Sequence, residues 1–290
     1  MEALPSVRGL PAMTRCRVMG VLNVTPDSFS DGGRWLDADA AVAHGRQLVT
    51  DGADLVDVGG ESTRVGAQRV PVEEELRRVL PVVRDLAAEG VPVSIDTMRS
   101  KVAEAALQAG AILVNDVSGG RADPSMLRMV ANAKVPYVIM HWRGHSIRMN
   151  ELATYGNVVS DVCTELSQRL DDAVDAGVDA EAIILDPGLG FAKNADHNWA
   201  LLAHLDVLLR LGRPLLIGAS RKRFLGALLA DSATDSPRPA AERDDATAAV
   251  TALAAAAGVW GVRVHEIPAS LDAARVAAAW RAARRQVVAR

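Results

Sequence analysis

Three polar residues each end an apolar, β-branched run: Asp96 after Val93-Ser-Ile, Asn115 after Ile112-Leu-Val, and Asp186 after Ile183-Ile-Leu. A carboxylate accepts two donors side by side, and an amide both donates and accepts. Brought together, the three suit a flat heterocycle with an amidine-like edge, such as a pterin or a purine. A second group is cationic. Ser220-Arg221-Lys222 follows the run from Leu215, and Arg263 and His265 end the run from Gly261. Arginine and lysine heads there would bind an anion, each charged hydrogen bond contributing about 1.5–3 kcal/mol. The helix opened by Pro268-Ala-Ser270 would add its N-terminus to the same anion site. Taken singly, a strand-end aspartate equally serves as a helix cap or an ion-pair partner, and a basic loop as solvated surface. A dinuclear metal site is a further alternative, but His141 is the only other nearby ligand and no His-x-His occurs. Gly-x-x-x-x-Gly-Lys is absent, so the anion site is not a P-loop.

These residues need a scaffold that brings strand ends to one place. Eight apolar runs stop on a polar or charged residue and are followed by a helical stretch; the others are Arg17 to Asn23, Ala53 to Asp57 and Tyr137 to His141. Near-continuous apolar runs are the mark of parallel strands buried on both faces. Eight strand–helix units favour closure over a doubly wound sheet, so the expected fold is a single (β/α)8 TIM barrel. Its active site then lies at the C-terminal ends of the strands, with the loops after strands seven and eight as the usual phosphate site. Phe29 and Phe191, two of the three phenylalanines, fall in strand-end loops. Either they plug the barrel mouth or they close over an apolar or aromatic substrate.

A chain of 290 residues is normal for one closed barrel. No run of about 18 apolar residues is present, which argues against a transmembrane helix. No secretory signal is visible at the amino terminus. Cys16 and Cys163 lack paired or metal-ligand spacing and read as reduced structural thiols of a cytoplasmic protein. A net charge of −4 gives no global attraction to nucleic acid. Residues 1–14 carry no periodic signal and read as a loose tail before one barrel domain spanning 15–290. Helices are expected over about 38–51, 100–108, 157–176 and 196–211, and the Ser-, Pro- and charge-rich stretch 231–245 reads as a mobile loop.

Met19-Gly-Val-Leu-Asn-Val-Thr-Pro-Asp-Ser-Phe-Ser-Asp-Gly-Gly33 resembles the first signature of the dihydropteroate synthases, and Asp57-Val-Gly-Gly-Glu-Ser-Thr-Arg64 the second. Ser94-Ile-Asp-Thr97, Asn115-Asp116, Asp186 to Phe191, Gly218-Ala-Ser-Arg-Lys222 and Arg263-Val-His265 match the family's remaining landmarks in order, over nearly the whole chain. The resemblance is to an actinobacterial-type member. It implies a folate-pathway enzyme, often a homodimer, that joins a dihydropterin diphosphate to 4-aminobenzoate with Mg²⁺. Carried over by position, Asn23 would bind the Mg²⁺–diphosphate, with Thr63, Arg263 and His265 on the phosphate oxygens. Asp96, Asn115 and Asp186 would hold the pterin edge, and Lys222 would reach its carbonyl and ring nitrogen. Phe29, Arg64, Phe191 and Ser220 would form the aminobenzoate side. Asp96, Lys222 and Arg263 are the residues this resemblance places closest to the chemistry. Val65 stands where the family usually has proline, which should leave the second loop freer before substrate binds. The rival within enzymes is a pterin-dependent methyl transfer domain, which needs no diphosphate site. A non-catalytic pterin-binding barrel is the rival of another class, against which the intact ring of polar strand ends argues.

Overall fold

The computed structural model describes residues 4–25, 36–62, 69–144 and 152–288. Eight short strands alternate with helices: β1 (Arg17–Asn23), β2 (Leu55–Gly59), β3 (Val93–Asp96), β4 (Leu113–Asp116), β5 (Tyr137–Met140), β6 (Ile183–Asp186), β7 (Leu216–Ile217) and β8 (Gly261–Val264). All pair in parallel, in the order β6-β5-β4-β3-β2-β1-β8-β7. A parallel bridge between Leu185 and Leu215 joins the two outer strands and closes the barrel. The expected (β/α)8 architecture is therefore the one observed.

The outer layer comprises α1 (Leu36–Thr50), α2 (Val72–Ala88), α3 (Ser100–Gln108), α4 (Met126–Ala133), α5 (Val158–Asp175), α6 (Ala195–Ala203), α7 (Leu205–Leu209), α8 (Arg223–Leu228), α9 (Asp244–Ala257) and α10 (Pro268–Val288). Local chemistry sets several ends. Asn157 accepts from the amides of Val159 and Ser160 to start α5. Gly258 at φ 98° stops α9 in the left-handed region that favours glycine. Glu73, Glu74 and Glu75 occupy the first turn of α2, where acids complement the helix dipole. The helix expected over 196–211 breaks at His204, whose φ of −117° and ψ of 38° are not helical.

Two core clusters result. The larger packs helices onto the outer strand faces. The smaller fills the barrel interior at the opposite end from the mouth, with Met19, Leu55, Leu113, Val138, Ile184, Leu216 and Trp260 pointing inward. Val7, 3% exposed, belongs to that cluster, Leu10 packs on it, and Leu4 joins the outer core at 6%. The expectation of a loose tail fails for residues 4–14. They cross beneath the barrel and plug its floor, each buried aliphatic contributing about 1.5–3 kcal/mol. Arg8 pairs with Asp179, and Arg17 reaches the Pro11 carbonyl from above while stacking over Trp260 at 5.4 Å.

The stretch 231–245 is also more constrained than its composition suggests. Arg238 N donates to Gly226 O at 3.0 Å. The guanidinium of Arg243, 8% exposed, donates to Arg238 O at 2.7 Å and Arg221 O at 2.8 Å. One buried arginine thus ties this loop to the turn after β7.

Candidate active site

Strand register brings the polar ends together. Asn23 pairs with Gly59, Gly59 with Asp96, and Asp96 with Asn115, one continuous line across β1 to β4. Met140 pairs with Asp186 further round, so Asp186 lies on the same inward-facing set as Met140. In parallel strands register partners share a face, so the periodicity that buries the floor residues also turns these side chains into the mouth.

Arg263 on β8 reaches across to two carboxylates. Its Nε donates to Asp57 Oδ2 at 2.6 Å and its Nη2 to Asp96 Oδ2 at 2.8 Å. Asp57 Oδ2 also accepts from Asn115 Nδ2 at 2.9 Å. Asp57 therefore holds two of the residues expected to touch ligand. It directs the Asn115 amide N–H inward and leaves the amide oxygen as the acceptor on offer. Sequence reasoning gave Asp57 no role, although it closes an apolar run as the others do. Asp57 Oδ1 and, on the register-paired residue of β3, Ser94 Oγ are buried with no hydrogen-bond partner among the described residues.

Burial raises the Asp96 carboxyl to about 7, against the pull of Arg263, while the neighbouring charges of Asp57 and Glu75 push the same way as burial. Desolvation likewise raises Asp186, with Lys222 opposing it. Burial lowers the Lys222 ammonium to about 8, and the Asp186 charge limits the fall. Asp186 Oδ1 accepts from Gly188 N at 2.7 Å. Asp186 Oδ2 and Lys222 Nζ both lie within 4 Å of where a Gly218 Cβ would stand. Lys222 also donates to Leu189 O and sits 4.9 Å above the Phe191 ring. The mouth thus holds alternating acids and cations in a desolvated setting, the arrangement in which charge recognition is strongest.

The turn after β7 divides its three polar residues. Ser220 bonds His265 at the end of β8, Oγ to Nδ1 at 2.9 Å, and accepts from His265 N at 3.2 Å. Arg221, at an uncommon φ of 58°, turns away and forks onto Asp244 at 2.8 and 2.7 Å. The expectation that Arg221 shares in anion binding is corrected: its guanidinium is committed to α9. The left-handed φ of Arg221 is what sends Arg221 outward while Ser220 and Lys222 face the mouth.

His141, offered above as a possible metal ligand, lies behind the mouth between Glu165 Oε2 and Lys193 Nζ, each at 2.9 Å. Among the described residues no group of three or more His, Cys, Asp or Glu side chains is placed to hold a metal. Phe29, Thr63, Arg64 and Val65 lie outside the described residues. The residues flanking the second loop are held: Val70 N donates to Glu61 Oε2 at 3.1 Å, and Arg99 pairs with both Glu61 and the buried Glu75.

Gly188 is one position where only glycine serves. Its φ is positive, in the left-handed region, and a Cβ there would fall deep inside contact distance of the His141 carbonyl oxygen. Gly188→Ala should lower stability by more than about 1 kcal/mol from the left-handed backbone alone. Thermal unfolding checks this, and an unchanged midpoint would contradict the placement of the turn.

A closed (β/α)8 barrel with carboxylates, an amide and cations gathered at its C-terminal mouth has the layout of a barrel enzyme's active site. The family model described as "Pterin binding enzyme" accordingly matches residues 19–265. The chain is 57% identical to the dihydropteroate synthase of Mycobacterium leprae, over 91% of this chain and 93% of that one. Among solved structures, Xanthomonas albilineans dihydropteroate synthase with 4-aminobenzoic acid superposes with a TM-score of 0.86 at 44% identity, over 97% of this chain and 98% of the other. The same enzyme in complex with 7,8-dihydropteroate gives 0.83 at 42% identity, over 98% and 99%. The chain belongs to the dihydropteroate synthase family, and it is a transferase.

Proposed function

We propose that this protein joins (7,8-dihydropterin-6-yl)methyl diphosphate to 4-aminobenzoate, releasing diphosphate and forming 7,8-dihydropteroate. The observation that carries the reading is Arg263. It stands at the end of β8, where a barrel takes phosphate, and it also grips Asp96 beside Asn115, on the side suited to a heterocycle. One guanidinium therefore links an anion subsite to a pterin subsite. The ligands named for the Xanthomonas structures, 4-aminobenzoic acid and 7,8-dihydropteroate, support the same pair of substrates.

In this reading Asp186, Asn115 and Asp96 accept from the pterin edge, and Lys222 donates to its carbonyl and ring nitrogen. Arg263, His265 and Thr63 receive the diphosphate oxygens. Phe191, Ser220, Phe29 and Arg64 form the aminobenzoate side. Departure of diphosphate leaves a positive methylene conjugated to the electron-rich dihydropterin ring. Arg263 stays bonded to Asp96 and favours its charged form, so a carboxylate is in place to favour that cation. The arylamine is already a neutral nucleophile near pH 7, so an SN1-like path needs no strong base. Closure of the loops over the site would exclude the water that could trap the cation.

Mg²⁺ fits this donor set only in part. Asn23, half-buried at the end of β1, offers one amide oxygen, the hard donor type the ion takes, and substrate phosphates and water would supply the rest. When bound it would neutralise phosphate charge. The free thiols of Cys16 and Cys163, far apart in the chain, support a cytoplasmic setting. No described helix is long and apolar enough to cross a membrane. Leu253 on α9 with Val276 and Trp280, one turn apart on α10, are large apolar side chains open to solvent, and they support a homodimer formed through these adjacent helices.

The deciding experiment is release of pyrophosphate from the pterin diphosphate with and without 4-aminobenzoate; no aminobenzoate-dependent release would refute the reading. A second expectation concerns pH. Asp96 is raised to about 7, so the acceptor form is lost as the pH falls through that value. Affinity for a phosphate-free pterin analogue, followed by calorimetry, should therefore decline on the acid side of about pH 7. The limb should vanish in Asp96→Asn, and its persistence there would move the titration to another group.

A further inference from the structure

Behind the mouth lies a cation that the proposed chemistry does not use. Lys193 stands between β6 and α6, with Nζ 2.9 Å from His141 Nδ1, 3.1 Å from Gly188 O and 3.1 Å from Phe191 O. Burial, then the Lys193 charge, lowers the His141 imidazolium to about 4, so the ring is neutral. Glu165 fixes which nitrogen keeps the proton. Burial raises its carboxyl, but the bonds from His141 and Arg143 outweigh that and hold it at about 2, an acceptor only. His141 Nε2–H therefore donates to Glu165, and Nδ1 presents its lone pair to Lys193. Burial lowers the Lys193 ammonium to about 7, with the charge of Asp186 opposing that fall. In its charged form three ammonium protons meet three acceptors, whereas a neutral amine would turn a lone pair on one of them.

The segment so gripped is bent. Gly188, Gly190 and Ala192 all have positive φ, and the alanine among them carries the usual strain of left-handed backbone. Each turn of this segment has a polar anchor: Asn198 Oδ1 accepts from Gly190 N at 2.7 Å and Tyr155 OH donates to Ala192 O at 3.0 Å. The turn closes on itself, Phe191 N donating to Gly188 O at 3.1 Å, and Lys193 adds a side-chain grip on the carbonyls at both of its ends. Arg143 pairs with Glu165 and stacks 3.8 Å over Tyr155, so the grip is braced from α5 outward.

We propose that Lys193, oriented by His141 and Glu165, is a positioning residue for the transfer reaction: it sets the Gly188–Phe191 turn and so places Phe191 against the aminobenzoate. This rests on the assignment of Phe191 to the aminobenzoate side. Lys193 touches no reacting atom, so its loss should appear in binding of one substrate.

The test is steady-state kinetics of Lys193→Met and Glu165→Gln, varying each substrate in turn, with thermal unfolding alongside. Lys193→Met should raise the aminobenzoate KM roughly tenfold, the weight of one charge-assisted hydrogen bond, with kcat and the KM for pterin diphosphate within about threefold of wild type. Glu165→Gln keeps an acceptor oxygen but loses the charge, and should shift the same KM by roughly two- to threefold. If Lys193→Met does not fold, Glu165→Gln decides by the same split. A lower melting temperature with both KM values unchanged, or equal shifts for both substrates, would overturn the assignment. A wild-type enzyme without aminobenzoate-dependent pyrophosphate release would instead refute the underlying function.

Discussion

Asp186→Asn should lower affinity for a pterin analogue by about a hundredfold or more and leave little turnover. The carboxylate has two obligations. Oδ1 accepts from Gly188 N at 2.7 Å, and Oδ2 lies on the Lys222 side, where the pterin edge is expected. Asparagine has one acceptor to meet both. If its oxygen keeps Gly188, its NH₂ faces the pterin N–H and the Lys222 ammonium, donor against donor. If it turns over, the NH₂ opposes the Gly188 amide in a turn that cannot yield, because Gly188 is pressed against the His141 carbonyl. Leaving a buried donor unpaired costs about 1–3 kcal/mol. A second loss follows from charge. Burial already lowers Lys222 to about 8, and the Asp186 carboxylate is the chief restraint on that fall. Without it the lysine should be largely neutral near pH 7.5, weakening its bond to the pterin carbonyl. Calorimetry with a phosphate-free analogue isolates the effect from the diphosphate contacts. Unchanged affinity would remove Asp186 from the pterin site.

What the sequence made legible follows from period and position. Buried parallel strands write unbroken apolar runs, and a polar residue that stops such a run sits at the barrel mouth. Asp96, Asn115, Asp186 and Arg263 were therefore readable as one constellation; register sets Asp96 beside Asn115, and Arg263 reaches across from β8 to Asp96. Contacts between residues far apart in the chain leave no such trace. Leu4, Val7 and Leu10 are isolated apolar residues among prolines and glycine, without a period, yet Val7 and Leu10 plug the barrel floor and Leu4 joins the outer core. The pairing of His141 with Glu165 depends on α5 lying against β5, and no spacing in the sequence announces it. Arg221 and Lys222 are adjacent and alike in charge, but one left-handed residue sends them to opposite sides of the wall. Asp57 met the strand-end rule and passed unused, because its partners come from β4 and β8.

Those partners set the second large effect. Arg263→Ala should abolish efficient use of the diphosphate substrate, and it should also destabilise the fold and weaken a pterin analogue that carries no phosphate. Arg263 is the shared counter-ion of Asp57, fully buried, and Asp96, 8% exposed. Removing one member of a buried pair costs about 3–5 kcal/mol, and the 21% exposure of the Arg263 side chain favours the lower end. Asp96 already stands at about 7 with Arg263 restraining it, so in the variant it should rise further and be protonated at neutral pH. The pterin then meets a neutral carboxyl where it needs an acceptor. A carboxyl whose folded value lies above its unfolded one stabilises on the acid side and loses that contribution until pH passes its folded value. The wild-type loss stops near 7 while that of the variant continues, so the deficit against wild type should deepen as pH rises above about 7. Adding Asp57→Asn tests the cause. An asparagine oxygen at the Oδ2 position still accepts from Asn115, and its NH₂ takes the place of Oδ1, which accepts no hydrogen bond among the described residues. With one stranded charge gone, Arg263→Ala/Asp57→Asn should unfold at a higher temperature than Arg263→Ala alone, a coupling of at least about 1 kcal/mol, while turnover stays lost because the phosphates have no guanidinium. Strictly additive losses in the two variants would mean that Asp57 and Arg263 do not act as a unit, and recovery of turnover would mean that Arg263 does not serve the diphosphate.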